Sequence, residues 1–160
     1  MHVFDASSMV HAWDNYPIKQ FPVLWEWLGE QIEAEKLTMP EVAFDEVKHK
    51  IPECGEWLKF AKLKQLAVTA ETSNMSMRIK SLIGIINDQY HPKGVDENDI
   101  VIIATAKVHG GILVSDEGRQ VRLPDELTKV KIPAVCNMRE VNVQHINFIE
   151  YLRVSEHVFR

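Results

Sequence analysis

The stretch that most constrains this chain is "VDENDIVIIATAKVHGGILVSDEG", which runs from Val95 to Gly118. Between its acidic ends, nearly every residue is apolar or small. This pattern predicts a helix that is buried nearly all round and ends at Gly110, followed by the short buried strand "GILV". Carboxylates are costly to bury unless something binds them. The acids at both ends must therefore either face solvent or form a site that binds a cation.

Short apolar strands and longer helices alternate along the rest of the chain. "MHVF" predicts a strand that ends at Asp5, and the helix after it can be capped by Ser7 or Ser8. The C-terminal part predicts a loop, a short helix, a strand and a last helix. Four further helices are predicted from the sequences "FPVLWEWLGEQIEAEK", "LTMPEVAFDEVKHKI", "EWLKFAKLKQL" and "TSNMSMRIKSLIGIINDQY". The alternation predicts an α/β sandwich around a mostly parallel sheet, in a single domain over residues 1–160.

Charge and composition exclude several classes of protein. A formal charge of -5 argues against a cationic surface that coats DNA, although an acidic site can still bind phosphodiesters through divalent cations. The two cysteines form no CxxC pair, which disfavours a thiolate zinc site. No apolar run approaches the ~20 residues of a transmembrane helix, and the N-terminus lacks the basic region of a signal peptide. We therefore expect a cytoplasmic protein without a membrane segment.

The acids fall where an α/β fold binds its ligands, beyond the carboxyl ends of the strands. Asp5 follows the first predicted strand, Asp116 and Glu117 follow "GILV", and Asp99 begins the helix that leads into that strand. If the two strands are parallel neighbours, these side chains converge. Mg²⁺ or Mn²⁺ would relieve the repulsion between them and could serve phosphodiester hydrolysis.

Simpler explanations exist for each of these residues taken alone. Asp5 fits a turn or a helix cap, and Asp116 and Glu117 fit a solvated turn. Asp96 and Asp99 fit a capping pair. The adjacent acids at positions 45 and 46 both lie off the apolar stripe of their predicted helix, so periodicity does not choose between them. The basic residues Lys48 and Lys50 fit a solvated face, and the tryptophans at positions 13, 25 and 27 fit a core better than a base-stacking surface.

The order of these motifs resembles that of PIN-domain nucleases, the family of VapC-like toxins. "VFDASSMV" is similar to the opening strand, acid and small polar residue of that family, and "ENDIVIIATAKVHGGILVSDE" is similar to its second half. The likeness spans nearly the whole chain. It is greatest to a bacterial PIN-like subfamily of unestablished function, through "AWDNYP", "FPVLWEWL", "DEV", "EWL" and "IPAVCNMREVNV".

The resemblance implies a PIN-like three-layer α/β/α sandwich and assigns roles to individual residues. Asp5, Glu46 and Asp99 match the first three family acids, and Glu117 the fourth, with Asp116 as an alternative. Metal ligands would be Asp5, Asp99, and Glu117 or Asp116, with Glu46 completing the shell. The residues expected to support them are Ser7, Ser115 and Asp96, and those expected to contact the substrate are Lys48 and Lys50.

The function implied is a Mg²⁺- or Mn²⁺-dependent endoribonuclease, the toxin of a bacterial type II toxin–antitoxin pair. Its expected partners are RNA, a cognate antitoxin and a second copy of the chain, with the Trp-rich N-terminal helix region as the dimer interface. Two alternatives stay open. One is a catalytically inactive PIN-fold module that binds nucleic acid or protein, and the other is a structure-specific DNA nuclease.

Overall fold

The structure, a computed structural model, describes residues 1–120 and 122–160. Its sheet contains five short strands: β1 (His2–Phe4), β2 (Leu37–Pro40), β3 (Gln65–Leu66), β4 (Ile112–Val114) and β5 (His145–Ile146). The strand order is β3-β2-β1-β4-β5, and every pairing is parallel. The expected parallel sheet is confirmed. Because β1 and β4 are neighbours, their carboxyl ends lie at the same edge of the sheet.

The described helices cover the sheet in a three-layer α/β/α sandwich. They are α1 (Ala6–Asn15), α2 (Pro22–Glu33), α3 (Glu41–Lys50), α4 (Pro52–Phe60), α5 (Ala70–Ile83), α6 (Glu97–His109), α7 (Ile132–Cys136) and α8 (Phe148–Ser155). A short 3-10 turn covers Leu127–Lys129. None of the described helices is both long enough and apolar enough to cross a bilayer.

Helix α6 is the buried helix that the opening stretch predicts. Ile100, Ile102 and Ile103 are fully buried in it, and the helix is followed by Gly110 in the left-handed conformation, at φ 63°. Only two residues connect α6 to β4, so the helix runs back across the sheet. Its N-terminus, with Asp99, therefore lies near the edge where β1 and β4 end.

Several details of the sequence-based prediction were wrong. Leu37–Pro40 and Gln65–Leu66 are strands rather than parts of helices. Buried parallel strands carry continuous apolar runs, which periodicity does not distinguish from helix in so few residues. Helix α5 ends at Ile83, because Gly84 adopts the left-handed conformation, and Ile86 beyond it is 71% exposed.

The predicted cap of the first helix was also wrong. Helix α1 begins at Ala6, with Asp5 in the N-cap position and no side-chain cap hydrogen bond. Ser7 and Ser8 lie inside its first turn, and their hydroxyl groups bond to acidic side chains instead. The serine hydroxyl groups in the first turn of α1 therefore hydrogen-bond to Asp5 and Asp116 and do not cap the helix.

The tryptophans of α2 belong to the core, as their apolar pattern favoured. Trp25 and Trp27 are 2% and 7% exposed. The indole nitrogen of Trp25 donates a hydrogen bond of 2.6 Å to the Tyr16 carbonyl oxygen, and its ring packs edge-on against Trp57. Cys54 and Cys136 are both buried free thiols.

Candidate active site

The carboxyl edge of the sheet opens into a cleft with a volume of about 490 Å³. Its lining includes a set of acidic side chains drawn from four parts of the fold. They are Asp5 and Asp14, Glu46 of α3, Asp99 of α6, and Asp116 and Glu117 after β4. The structure brings together in this cleft the five acids that were predicted to converge: Asp5, Glu46, Asp99, Asp116 and Glu117.

Asp5 is the most buried of these acids and is held by two serines. Its side chain is only 4% exposed, and Oδ2 accepts hydrogen bonds of 2.7 Å from Ser7 and 2.9 Å from Ser115. Burial raises the pKa of the Asp5 carboxyl, and the two serine hydrogen bonds oppose that rise. Both serines expected to support this acid therefore contact it.

Asp99 has two roles at the start of α6. Its Oδ2 accepts a hydrogen bond of 3.0 Å from the Asp96 backbone nitrogen, and its own backbone nitrogen donates one of 2.8 Å to Asp96 Oδ1. The capping pair is therefore real, yet Asp99 also lines the cleft. Burial raises the pKa of Asp99 to about 8, and the carboxylates of Asp96, Glu117 and Asp5 add to the shift.

Glu46 is half-buried, whereas its neighbour Asp45 is exposed and lies outside the cleft lining. Asn98 donates a hydrogen bond of 2.9 Å from its amide nitrogen to Glu46 Oε1. Burial raises the pKa of Glu46, and the carboxylates of Asp5 and Asp96 raise it further. Asn98 was not among the predicted residues, and its place beside Asp99 was the only signal for it.

The two candidates for the fourth acid have different surroundings. Asp116 Oδ1 accepts hydrogen bonds of 2.9 Å from Ser8 and 2.9 Å from the Phe148 backbone nitrogen, which tie α1, β4 and α8 together. Glu117 Oε2 accepts one hydrogen bond of 2.7 Å from the Ile132 backbone nitrogen. Burial raises the pKa of Glu117, and the nearby Asp5 carboxylate adds to the shift.

The cleft also contains basic and amide side chains. Of the two lysines expected to contact the substrate, Lys50 lines the cleft, whereas Lys48 is exposed and lies outside its lining. His11 lines the cleft as well, with Nδ1 lying 3.1 Å from Asp116 Oδ2. Sequence reasoning missed His11, since a single histidine on a helix carries no distinctive spacing.

The acids suit a hard cation in their chemistry. They offer only oxygen ligands. Burial raises the pKa values of Asp5, Glu46, Asp99 and Glu117, and neighbouring carboxylates add to the shift at Glu46, Asp99 and Glu117. Within the described residues, no group of three or more histidines, cysteines or acids is arranged to hold a metal ion. Mg²⁺ needs only one or two carboxylates, because water and substrate phosphate oxygens complete its shell. The donor set therefore fits such an ion.

Comparison with known proteins gives the family. A family model described as "Domain of unknown function (DUF4411)" matches residues 2–159. The chain belongs to this DUF4411 family. No curated protein matches the chain.

Two solved structures resemble the fold of this DUF4411 chain. VapBC2 from Rickettsia felis, bound to a DNA fragment from its promoter, has 14% identity and a TM-score of 0.56, covering 91% of this chain and 97% of that one. PAE2754 from Pyrobaculum aerophilum has 15% identity and a TM-score of 0.52, with coverage of 98% and 96%. The DUF4411 chain therefore has the PIN-like fold that the motif order implied.

Proposed function

We propose that this protein is a divalent-metal-dependent endoribonuclease and the toxin of a bacterial type II toxin–antitoxin pair. The observation that carries the nuclease proposal is the meeting of Asp5, Glu46, Asp99 and Glu117 in one cleft at the carboxyl edge of the sheet. The toxin proposal rests on the motif resemblance and on the likeness to the VapBC2 structure. The chain would work as one domain over residues 1–160.

The acids would have different roles in the proposed reaction, according to their surroundings in the cleft. Asp5 and Asp99 would hold Mg²⁺ or Mn²⁺, and Glu46 would complete the shell. Glu117 would orient the attacking water, because it keeps one carboxylate oxygen without a hydrogen-bond partner among the described residues. Asp116 has less capacity left for a ligand, since its oxygens already contact Ser8, Phe148 and His11.

The remaining residues would orient these groups and attract the substrate. Ser7 and Ser115 hold Asp5, Asp96 holds the start of α6, and Asn98 holds Glu46. Lys50 would contact a substrate phosphate at the edge of the cleft. When bound, the ion would lower the pKa of water and stabilise the charge that develops on the phosphate oxygens.

The partners proposed for this cleft are RNA and an antitoxin. An antitoxin would block the cleft by offering Arg or Lys side chains to its carboxylates, because charge-assisted hydrogen bonds to carboxylates are among the strongest available to proteins. We place the complex in the bacterial cytoplasm.

Substitution of single acids tests the proposal. We expect Asp5→Asn and Glu46→Gln to reduce RNA cleavage in Mn²⁺ by at least about 100-fold, since each removes a carboxylate that would hold the ion or complete its shell. The matched control is Asp45→Asn, one residue from Glu46 but outside the cleft, which should cleave as the wild type does. A labelled RNA hairpin and a flapped DNA of equal length, competing in one gel assay, identify the substrate class. Cleavage by the wild type in excess EDTA, or undiminished cleavage by Asp5→Asn in Mn²⁺, would refute the proposal of a metal-dependent nuclease at this cleft.

A second candidate function is a PIN-fold binding module without catalysis. It is favoured by the hydrogen bonds that already occupy Asp116 and Glu117, and by the lack of any ready group of three metal ligands among the described residues. Isothermal titration with Mn²⁺ separates the two candidates. The nuclease should take up the ion with release of protons, whereas the inactive module should give no specific heat.

A further inference from the structure

A second concave surface lies away from the acidic cleft, between α2 and α4. This α2–α4 groove has a volume of about 580 Å³. Its lining includes Trp25, Gly29 and the acids Glu26, Glu30 and Glu33 from α2, with Trp57 and Phe60 from α4. Nothing in the proposed nuclease chemistry uses it.

The floor of the groove is aromatic. The rings of Trp25 and Trp57 meet edge-on with centroids 4.8 Å apart, and the one polar atom of the Trp25 ring is already bonded to Tyr16. A Cβ at Gly29 would lie 4.0 Å from the Trp57 ring, so the glycine leaves a notch above it. Phe60 is 85% exposed at the rim. The rings of Trp25, Trp57 and Phe60 line the same groove, and apolar surface grouped in this way marks a binding site more often than a single exposed side chain does.

The α2 rim is acidic. Glu26, Glu30 and Glu33 are all exposed, and their spacing of four and three residues places them on one side of the helix. None of the three forms a salt bridge within the described part of the chain, where Lys62 is the one basic residue lining the groove. Glu26 and Glu33 lie about 10 Å apart along the axis, at about 1.5 Å per residue.

We propose that the α2–α4 groove binds a basic amphipathic helix of a partner protein. An apolar side chain of that helix would enter the notch at Gly29, and Lys or Arg residues spaced one turn apart would face the three glutamates. Recognition of a helix in a groove uses anchors at i, i+3 or i+4, and i+7, which is the spacing of the acidic rim.

The charges favour this occupant over two others. A nucleic acid would bring phosphates against three carboxylates. A second copy of the chain carries a formal charge of -5 and would add net negative charge beside the three carboxylates. We therefore infer that the α2–α4 groove is not the interface of the homodimer predicted for the Trp-rich N-terminal helix region.

A synthetic helix tests the inference. The probe is a fluorescein-labelled 15-residue peptide with Leu at i, i+3 or i+4, and i+7 and Lys elsewhere; its control has Glu in place of Lys. We expect the full-length protein to bind the Lys peptide at one site, measured by anisotropy at physiological salt, and not to bind the Glu peptide. Glu30→Lys should weaken binding by about tenfold or more, since it places like charges together.

Two further variants make the test specific. Gly29→Leu should block the notch and weaken binding similarly, whereas Glu140→Lys makes the same charge change at an exposed site outside the groove and should bind as the wild type does. Circular dichroism checks that each variant is folded. Unchanged affinity in both Glu30→Lys and Gly29→Leu would overturn the inference. Direct binding of a labelled single-stranded oligonucleotide that Gly29→Leu abolishes, or a dimer that Gly29→Leu dissociates in sedimentation, would overturn it in favour of the other occupants.

Discussion

At the scale of single residues, the cleft disfavours the ionised form of several acids that line it. Asp5 and Asp99 are held in place by hydrogen bonds, while burial disfavours the ionised form of both and neighbouring carboxylates disfavour that of Asp99 further. Ionised carboxylates arranged in this way lower the unfolding free energy of the metal-free protein, and a bound cation would reverse that effect. The same acids that would bind the ion therefore lower the stability of the chain without it, a trade-off common at functional sites.

The Asp99 pKa gives the first stability prediction. Because its pKa is about 8 in the folded protein and about 4 when unfolded, the folded state holds a proton that the unfolded chain has lost between these values. The unfolding free energy of the metal-free protein should thus fall as pH rises through this window. Asp99→Asn removes the effect and keeps an oxygen that can accept from the Asp96 backbone nitrogen.

We expect metal-free Asp99→Asn to be more stable than the wild type at pH 8 by about 1 kcal/mol, after discounting for solvent screening. That corresponds to about 2–4 °C in Tm for a domain of this size. The difference should vanish near pH 4, where both proteins are neutral at this position. Differential scanning calorimetry in EDTA at both pH values measures it. A wild type more stable than the variant at pH 8 would contradict the electrostatic account.

At the scale of elements, the N-terminus of α6 sets the position of Asp99. The Asp96 side chain caps the helix by accepting a hydrogen bond from the Asp99 backbone nitrogen, and the Asp99 side chain accepts one from the Asp96 backbone nitrogen. At the other end, Gly110 in the left-handed conformation lets the chain turn directly into β4. The N-terminal cap of α6 thus fixes the position of one of the acids that line the cleft.

Replacing Asp96 tests this link. We expect Asp96→Ala to lower the unfolding free energy by about 1 kcal/mol in urea, since it removes the N-cap acceptor. Asp96→Ser should preserve most of the stability, because serine also caps well. If the cap positions Asp99, Asp96→Ala should also reduce Mn²⁺ affinity more than Asp96→Ser does. Equal Mn²⁺ affinities in the two variants would show that the cap acts on stability alone.

At the scale of the whole molecule, the parallel sheet gathers acids that are distant in the chain. Asp5 and Glu117 follow neighbouring strands, so the order of β1 and β4 in the sheet brings them together. A ligand that binds only this assembled arrangement stabilises the folded state as a whole. Binding is then measurable as a change in global stability, without any assay of cleavage.

We expect Mn²⁺ to raise the Tm of the wild type in proportion to the logarithm of its concentration. At 100 times the Kd, the stabilisation should be about 2.7 kcal/mol. Asp5→Asn should lose most of this shift, and Asp45→Asn should keep it. An equal Mn²⁺ shift in Asp5→Asn would mean that the ion binds somewhere other than the cleft.

The fold class, helix α6 with strand β4, and four of the cleft acids (Asp5, Asp99, Asp116 and Glu117) could be predicted from the residues alone, whereas Asp14 was missed. These features are local or follow from the hydrophobic pattern: an all-apolar helix must be buried, and acids at strand ends must meet if the strands are parallel neighbours. The motif resemblance added the choice of Glu46 over Asp45, and the structure agrees in placing Glu46 in the cleft.

Only the tertiary structure decided the rest. Strands β2 and β3 form because neighbouring strands pair with them. Their four and two residues show too little periodicity to be distinguished from the ends of the adjacent helices. Asn98 and His11 reach the cleft acids through contacts between elements, which sequence spacing does not encode. The same holds for the different surroundings of Asp116 and Glu117, because each depends on which backbone nitrogen from a distant helix lies beside it.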